Sequence, residues 1–308
     1  MNMMRRSLLF MLLSGLLGSA AIPAAAQTDA GANEALGVLR IDRNPVLLSM
    51  AGAGSAMTST SQAYAAFGNP AAAAFSDKTL ETAVSYASWS PHYTAASNIA
   101  AGVTGHLGQK VALSLGFARQ GYQGLDFEPA SGFKPSDMIL RAGAGFKVSE
   151  SLAIGVSAGY AKEALLSDYS LSAFSVSALA QYRIGGLNLA GGLVHLGGKV
   201  ASVYSLPASV KLAADYGFEF GSSNLHVALD GDYYFSGNYS AALGLNFGIG
   251  GIGFLRGGYR YASANAAIPS GLALGAGLEW HGISLDVSFL TASETLGGSW
   301  MAGVGYRF

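Results

Sequence analysis

Ser299-Trp300-Met301-Ala302-Gly303-Val304-Gly305-Tyr306-Arg307-Phe308 alternates without a break. Trp300, Ala302, Val304, Tyr306 and Phe308 fall on one side of an extended backbone, and Met301, Gly303, Gly305 and Arg307 fall on the other. That is a strand with one apolar face. The pattern recurs upstream: Ile283, Leu285, Val287 and Phe289 alternate with Ser284, Asp286 and Ser288, and Leu272, Leu274, Ala276, Leu278 and Trp280 alternate with Ala273, Gly275, Gly277 and Glu279. In these segments charge sits only on the second face.

The charge distribution decides the solvent. A soluble sandwich also alternates, but it turns a polar face to water and carries about 25% charged residues. This chain has 11% charged and 51% hydrophobic residues. An apolar outside around a sparsely charged inside suits lipid. Beyond the N-terminal leader, no segment approaches the roughly 20 apolar residues of a membrane helix, so a closed barrel is the form that crosses a bilayer with its backbone groups paired. The fold is read as all-β: a transmembrane antiparallel β-barrel of about 14 strands behind an N-terminal small-residue hatch segment.

Arg5 and Arg6 precede an apolar stretch from Leu8 to Leu17, and Ala24-Ala25-Ala26 supplies small residues for cleavage before Gln27. Residues 1–26 therefore read as a cleavable export signal. A twin-arginine signal is the alternative, but that route carries folded cargo and a barrel must cross the inner membrane unfolded. The chain has no cysteine, which excludes lipid anchoring at the N-terminus, disulfides and thiolate chemistry. Cleavage removes two of the 17 basic residues and none of the 18 acidic ones, for a mature net charge of −3. No nucleic-acid partner is expected.

Alternation and turn residues place strands at 81–90, 93–107, 111–120, 137–148, 152–163, 170–183, 187–196, 206–219, 225–235, 239–248, 254–261, 271–281, 283–291 and 299–308. Links alternate in length. Gly108-Gln109, Ser149-Glu150-Ser151, Gly185-Gly186, the Gly221 to Asn224 turn and Gly282 are short, whereas 121–136, 164–169, 197–205, 262–270 and 292–298 are longer. Pro91-His92 and Ser236 to Asn238 are the short exceptions among the long set, which is assigned to the cell exterior. The final strand is expected to pair with the first, and its terminal aromatic resembles the signal read by barrel-insertion machinery.

Glycine is abundant, at 43 residues, and Gly143, Gly145, Gly244, Gly275, Gly277, Gly303 and Gly305 all stand on the inward parity. Missing side chains there relieve crowding in a narrow lumen or make room for a plug. On the outward parity, Tyr216, Phe218, Tyr233, Phe235, Tyr259, Trp280, Trp300 and Tyr306 lie near strand ends, as an interfacial girdle requires. The domain reading is a signal at 1–26, a periplasmic or lumenal hatch at 27–80 and the barrel at 81–308.

The hatch carries a resemblance. Met50-Ala51-Gly52-Ala53-Gly54-Ser55-Ala56-Met57, then Gln62-Ala63-Tyr64, then Asn69-Pro70-Ala71, ahead of the strands, resembles the PorV/PorQ family of Bacteroidota outer-membrane proteins, itself distantly similar to the FadL fatty-acid transporters. Where such families carry an acidic pair before the aromatic-x-Asn-Pro-Ala element, this chain has Ser61-Gln62. The resemblance implies a segment that folds into the barrel from the periplasmic side, with Gly52, Gly54, Asn69, Pro70 and Ala71 as hatch or binding residues. A plain periplasmic turn leading into the first strand is the other reading, in which Asn69 only turns the chain before proline.

Inward charges are candidate lumenal groups: Arg141, Lys211, Asp215, Asp230, Asp232, Arg256, Arg260, Glu279, Asp286 and Arg307, with Lys147 and Glu219 at the ends. Both signs are present. They form either a salt-bridge network that fills the lumen or a polar path for a solute, and a single-sign ion-selecting ring is absent. His106, His226 and His281 show no Ser-His-acid spacing, and no paired metal-ligand spacing occurs. No enzyme activity, cofactor or metal is expected. The resemblance implies an accessory or shuttle role in type IX-like protein secretion, with exported proteins or secretion subunits as partners. The alternative is a FadL-like channel for a hydrophobic ligand. Either one sits in outer-membrane lipid of a Gram-negative cell.

Overall fold

The computed structural model describes residues 34–90, 95–125, 132–264, 266–291 and 297–308. The export signal assigned to 1–26, the start of the hatch segment and the Pro91-His92 link lie outside the described residues. A single 3-10 turn, Gly37–Arg40, and two short helices, α1 (Pro45–Ser49) and α2 (Pro70–Ala73), precede the strands. The strands are β1 (Leu80–Trp89), β2 (Ala96–Leu107), β3 (Val111–Tyr122), β4 (Ser136–Lys147), β5 (Leu152–Ala164), β6 (Ser170–Ile184) and β7 (Leu187–Leu196). They continue as β8 (Ser209–Phe220), β9 (Ser223–Tyr234), β10 (Tyr239–Ile249), β11 (Gly253–Ala262), β12 (Gly271–Trp280), β13 (Ile283–Thr291) and β14 (Trp300–Arg307).

Each strand pairs antiparallel with its sequence neighbours, and β1 pairs with β14 from Glu81↔Arg307 to Ser88↔Trp300, so the sheet closes into a 14-stranded barrel. Closure removes both sheet edges. The expected strands are all present. The largest boundary differences are at β2, which starts at Ala96 rather than 93, and at β8, which starts at Ser209 rather than 206. Pro207 explains the second: it has no N–H to give the ladder. Tight turns join β6 to β7 and β8 to β9, where Gly185 and Gly221 take φ of 57° and 64°, in the left-handed region that glycine adopts at little cost. One register shift occurs, between β6 and β7 at Val176/Ala178.

The outer surface is apolar. Leu, Val, Ile and aromatic side chains stand exposed around the whole wall, including Leu115, Leu212, Leu274 and Trp280. In water this would be a severe liability, and in a bilayer it is the solvent-facing surface. Of the outward positions on the described strands, only Arg119 and Lys162 are charged. Both lie in register with Met138 on the strand between them, toward the end with the longer links, so they form one row at the rim. The outer face is therefore charge-free except for this pair.

Val287 is 54% exposed on the outer wall, whereas the adjacent Ser288 is 3% exposed. Val287→Arg should destabilise the inserted barrel by about 2–4 kcal/mol near the midplane, read as a shift in a liposome-folding titration. The sequence pattern alone suggests that Ser288→Arg is milder because it faces inward. The structure removes that contrast, since α1 packs against β13 and the lumen at this level is filled.

Candidate functional site

The lumen is filled by residues 34–79, which form a hatch rather than a turn. Its two helices start by the same device. Asn44 and Asn69 are extended, with φ of −98° and −117°, each followed by proline at the first helical position. Their side-chain oxygens accept from the backbone N–H two residues on, Val46 at 2.9 Å and Ala71 at 3.1 Å. Proline sets φ and gives up a donor that a helix start leaves unpaired anyway, and asparagine caps the next one. The Asn44-Pro45 repeat of Asn69-Pro70 is visible in the sequence, yet only the second copy was singled out there.

The wall receives the hatch by omission of side chains. A Cβ at Gly145 would stand 2.1 Å from the Pro70 carbonyl oxygen, and one at Gly155 would stand 2.2 Å from the Ala71 nitrogen. On the opposite side a Cβ at Gly258 would meet the Met50 carbonyl at 2.4 Å, and on β2, nearer Gly145, one at Gly102 would meet the Ala63 carbonyl at 2.3 Å. Gly244, Gly275 and Gly303 face Met50, Ser49 and Pro45 in the same manner. Gly143 meets Ser114 of the wall as well as Pro70, and Gly277 and Gly305 instead make room for wall side chains, Arg256 and Ser284.

Polar anchors complete the seat. Asn69 donates to Gln181 Oε1 at 2.6 Å and to the Ser55 carbonyl at 3.0 Å, while Gln181 donates to the Ala56 carbonyl at 2.8 Å. The Gly54 N–H donates to Asp230 Oδ1 at 2.7 Å, and Ser55 N–H reaches the same carboxylate at 3.2 Å. Glu81 accepts from the Gln62 N–H at 2.8 Å and from Ser76 Oγ at 2.7 Å. Thus a wall carboxylate holds the hatch backbone at Gln62. Arg260 donates to the Ala51 carbonyl at 3.0 Å and lies 3.7 Å from Asp42. Gly52 takes φ of 90° there, with no room for a side chain beside the Arg260 guanidinium.

Arg141 is 2% exposed and has no carboxylate partner among the described residues. It donates to the Ala66 carbonyl of the hatch at 3.0 Å and to Ser157, Ser175 and Ser177 of β5 and β6 at 2.9 to 3.1 Å. Five neighbouring groups, His195 included, spread its charge while it clamps one hatch carbonyl.

Most of the remaining predicted charges pair across the wall. Lys211 lies 2.8 Å from Asp232 and 3.7 Å from Asp230. Arg256 reaches Asp286 at 2.6 Å and Asn246 at 3.0 Å, and Arg307 forms a forked pair with Glu279, one arm at 2.8 Å. Asp215 accepts from Asn188 at 2.9 Å and meets His226 Nδ1 at 2.9 Å. The predicted groups therefore divide: Asp230, Arg260 and Arg141 hold the hatch, Lys211, Asp215, Asp232, Arg256, Glu279, Asp286 and Arg307 pair within the wall, Lys147 pairs with Glu150 in the turn after β4, and Glu219 stands exposed near the end of β8.

Sequence reasoning passed over Glu81, Glu163, Gln181 and Asp137, all on the inward parity that located their neighbours. It also missed two hatch cations. Arg40 pairs with Glu34 and lies over the Tyr234 ring at 4.1 Å. Arg43 is 3% exposed and donates one bond, to the Val38 carbonyl at 2.9 Å, leaving Nε and Nη1 without partners. Burial pulls the Arg43 guanidinium down to about 10, so it stays charged at neutral pH.

Asp230→Asn replaces a charged acceptor of two hatch N–H groups, while Lys211 keeps its nearer partner Asp232 at 2.8 Å. The hatch should loosen by about 1.5–3 kcal/mol, seen as faster proteolysis after residue 50 with the barrel's heat-modifiable migration unchanged.

The closed wall of 14 antiparallel strands with residues 34–79 inside it has counterparts among solved structures at the level of the fold. Solved structures similar in fold include the toluene transporter TbuX of Ralstonia pickettii (TM-score 0.57, 13% identity, 86% of this chain and 97% of that one). The monoaromatic hydrocarbon channel CymD gives a TM-score of 0.59 at 13% identity over 85% of this chain and 96% of that one. The toluene transporter TodX of Pseudomonas putida gives 0.56 at 14% identity, over 86% and 96%. No protein-family model and no curated protein matches the sequence.

Proposed function

We propose that the chain is a FadL-type channel of a Gram-negative outer membrane, which admits small molecules when its hatch shifts. The observation that carries this reading is a hatch seated against glycines and a few polar latches inside a wall that closes without it. A permanent filler would need no such separable seat. The similar folds of TbuX, CymD and TodX support the same reading, and toluene and monoaromatic hydrocarbons, the compounds in their names, are the first cargo to test. The secretion role rests on the resemblance at residues 50–71 alone, and most of those residues are buried in the lumen.

Two measurements separate the readings. Expression in cells lacking their general porins should raise uptake of a radiolabelled small solute, and purification from native membranes should bring down no stoichiometric protein partner. Secretion-machine subunits or exported proteins retained by a barrel that conveys no solute would reverse the choice.

A further inference from the structure

Two cavities lie within the barrel, on either side of one short piece of hatch. The outer cavity, about 130 Å³, is bordered by Arg40, Asp42, Arg43, Lys211, Asp232 and Arg260 among others. The inner one, about 230 Å³ and nearer the short-turn end, is bordered by Asn246, Arg256, Glu279, Ser284, Asp286 and Arg307 among others. Thr60 and Ser61 border both. Each volume has room for several waters or one small solute.

The piece between them is Thr58-Ser59-Thr60-Ser61, four hydroxyl-bearing side chains with no large apolar one. Among the described residues, its hydrogen bonds run only to its own neighbours: Gln62 Nε2 donates to the Thr60 carbonyl at 2.9 Å and Ala63 N–H to Ser61 Oγ at 3.3 Å. The wall bonds lie on either side of it. Gly54 and Ser55 are held by Asp230, and Gln62 is held by Glu81, with its carbonyl accepting from Thr104 at 2.7 Å. Residues 58–61 thus span two fixed points with no hydrogen bond of their own to the wall among the described residues.

We propose that the two cavities are halves of one passage, that residues 58–61 are its movable partition, and that its cargo is a small polar solute, uncharged or zwitterionic, rather than a hydrocarbon. This rests on the channel reading above and narrows it. A hydrocarbon passing Lys211–Asp232, then Arg256–Asp286 and Arg307–Glu279, would strip water from those ion pairs and return no hydrogen bond. A polar solute exchanges one set of hydrogen bonds for another. Both signs border each cavity, so the path has no single-sign filter to favour anions or cations.

The test uses the full chain. In proteoliposome swelling with glycine and with arabinose, the wild type should exceed protein-free vesicles. A Ser59→Gly, Thr60→Gly, Ser61→Gly variant should swell several-fold faster, and adding Ser284→Trp to that variant should return swelling to the vesicle background. Heat-modifiable migration confirms that each variant folds. The same proteins are assayed for radiolabelled toluene uptake in porin-deficient cells. Toluene uptake with no glycine or arabinose swelling in either the wild type or the glycine variant overturns the polar cargo and leaves the channel reading intact. If none of the three solutes passes, both readings fall.

Discussion

A chain lacking residues 34–75 should still form a closed barrel, and that barrel should conduct. The wall ladder from β1 round to β14 needs no hatch backbone, because each strand already has two neighbours. Removing the hatch vacates the lumen from Glu34, which bridges to Ser205 between β7 and β8, down to Ser76 beside Glu81. Excising only the small-residue stretch 50–75 is too little, since Leu36, Val38 and Leu39 would still pack among Ala100, Ala118 and Ile139 of the wall. The expected result is a stable open conductance in planar bilayers, with ohmic current in both directions. Asn69→Ala with Pro70→Ala should give brief, smaller openings, because only the α2 start is released. Closed traces from the full deletion, in protein shown to be folded, would refute the plug.

The second large effect is expected from one added side chain in the wall. Gly145→Val places a Cβ where the Pro70 carbonyl oxygen stands, 2.1 Å away, and both groups belong to backbone that cannot rotate aside. Overpacking costs about 1–3 kcal/mol where side chains can adjust, and here the main chain of the hatch must move instead. Valine itself suits a strand. The barrel should therefore survive while α2 lifts from β4 and β5, opening the hatch to protease and raising the leak. Gly121→Val, at a position where a Cβ meets nothing within 4 Å, is the matched control. Protection equal to wild type in the Gly145 variant would mean that the hatch seat is more compliant than the geometry indicates.

Much of the wall was legible because period two carries it. Leu285 and Val287 against Ser284 and Asp286 fix which side meets lipid, and the same parity places Asp230, Arg256 and Arg307 in the lumen. Pairings within that set were not legible. Lys211 meets Asp232 because β8 and β9 are adjacent and in register, whereas Arg256 meets Asp286 across the intervening β12, a distance that depends on side-chain reach. The hatch has no period, so its path could not be read from spacing. The inward parity marks wall glycines such as Gly145 as room for a plug, but that Gly145 and Gly155 contact the same turn requires the three-dimensional fold. Gln181 and Glu81 had the right parity and were overlooked for want of a partner in the sequence to suggest them.

The glycines that admit the hatch also make it untransferable. A lock whose wards are cut by leaving metal out accepts one key, and the interior of this wall is cut at Gly102, Gly145, Gly155 and Gly258 to the outline of one backbone. A hatch borrowed from another barrel of the same strand number would meet hollows in the wrong places and side chains where it needs none. Plug and wall can therefore change only together, as mould and cast.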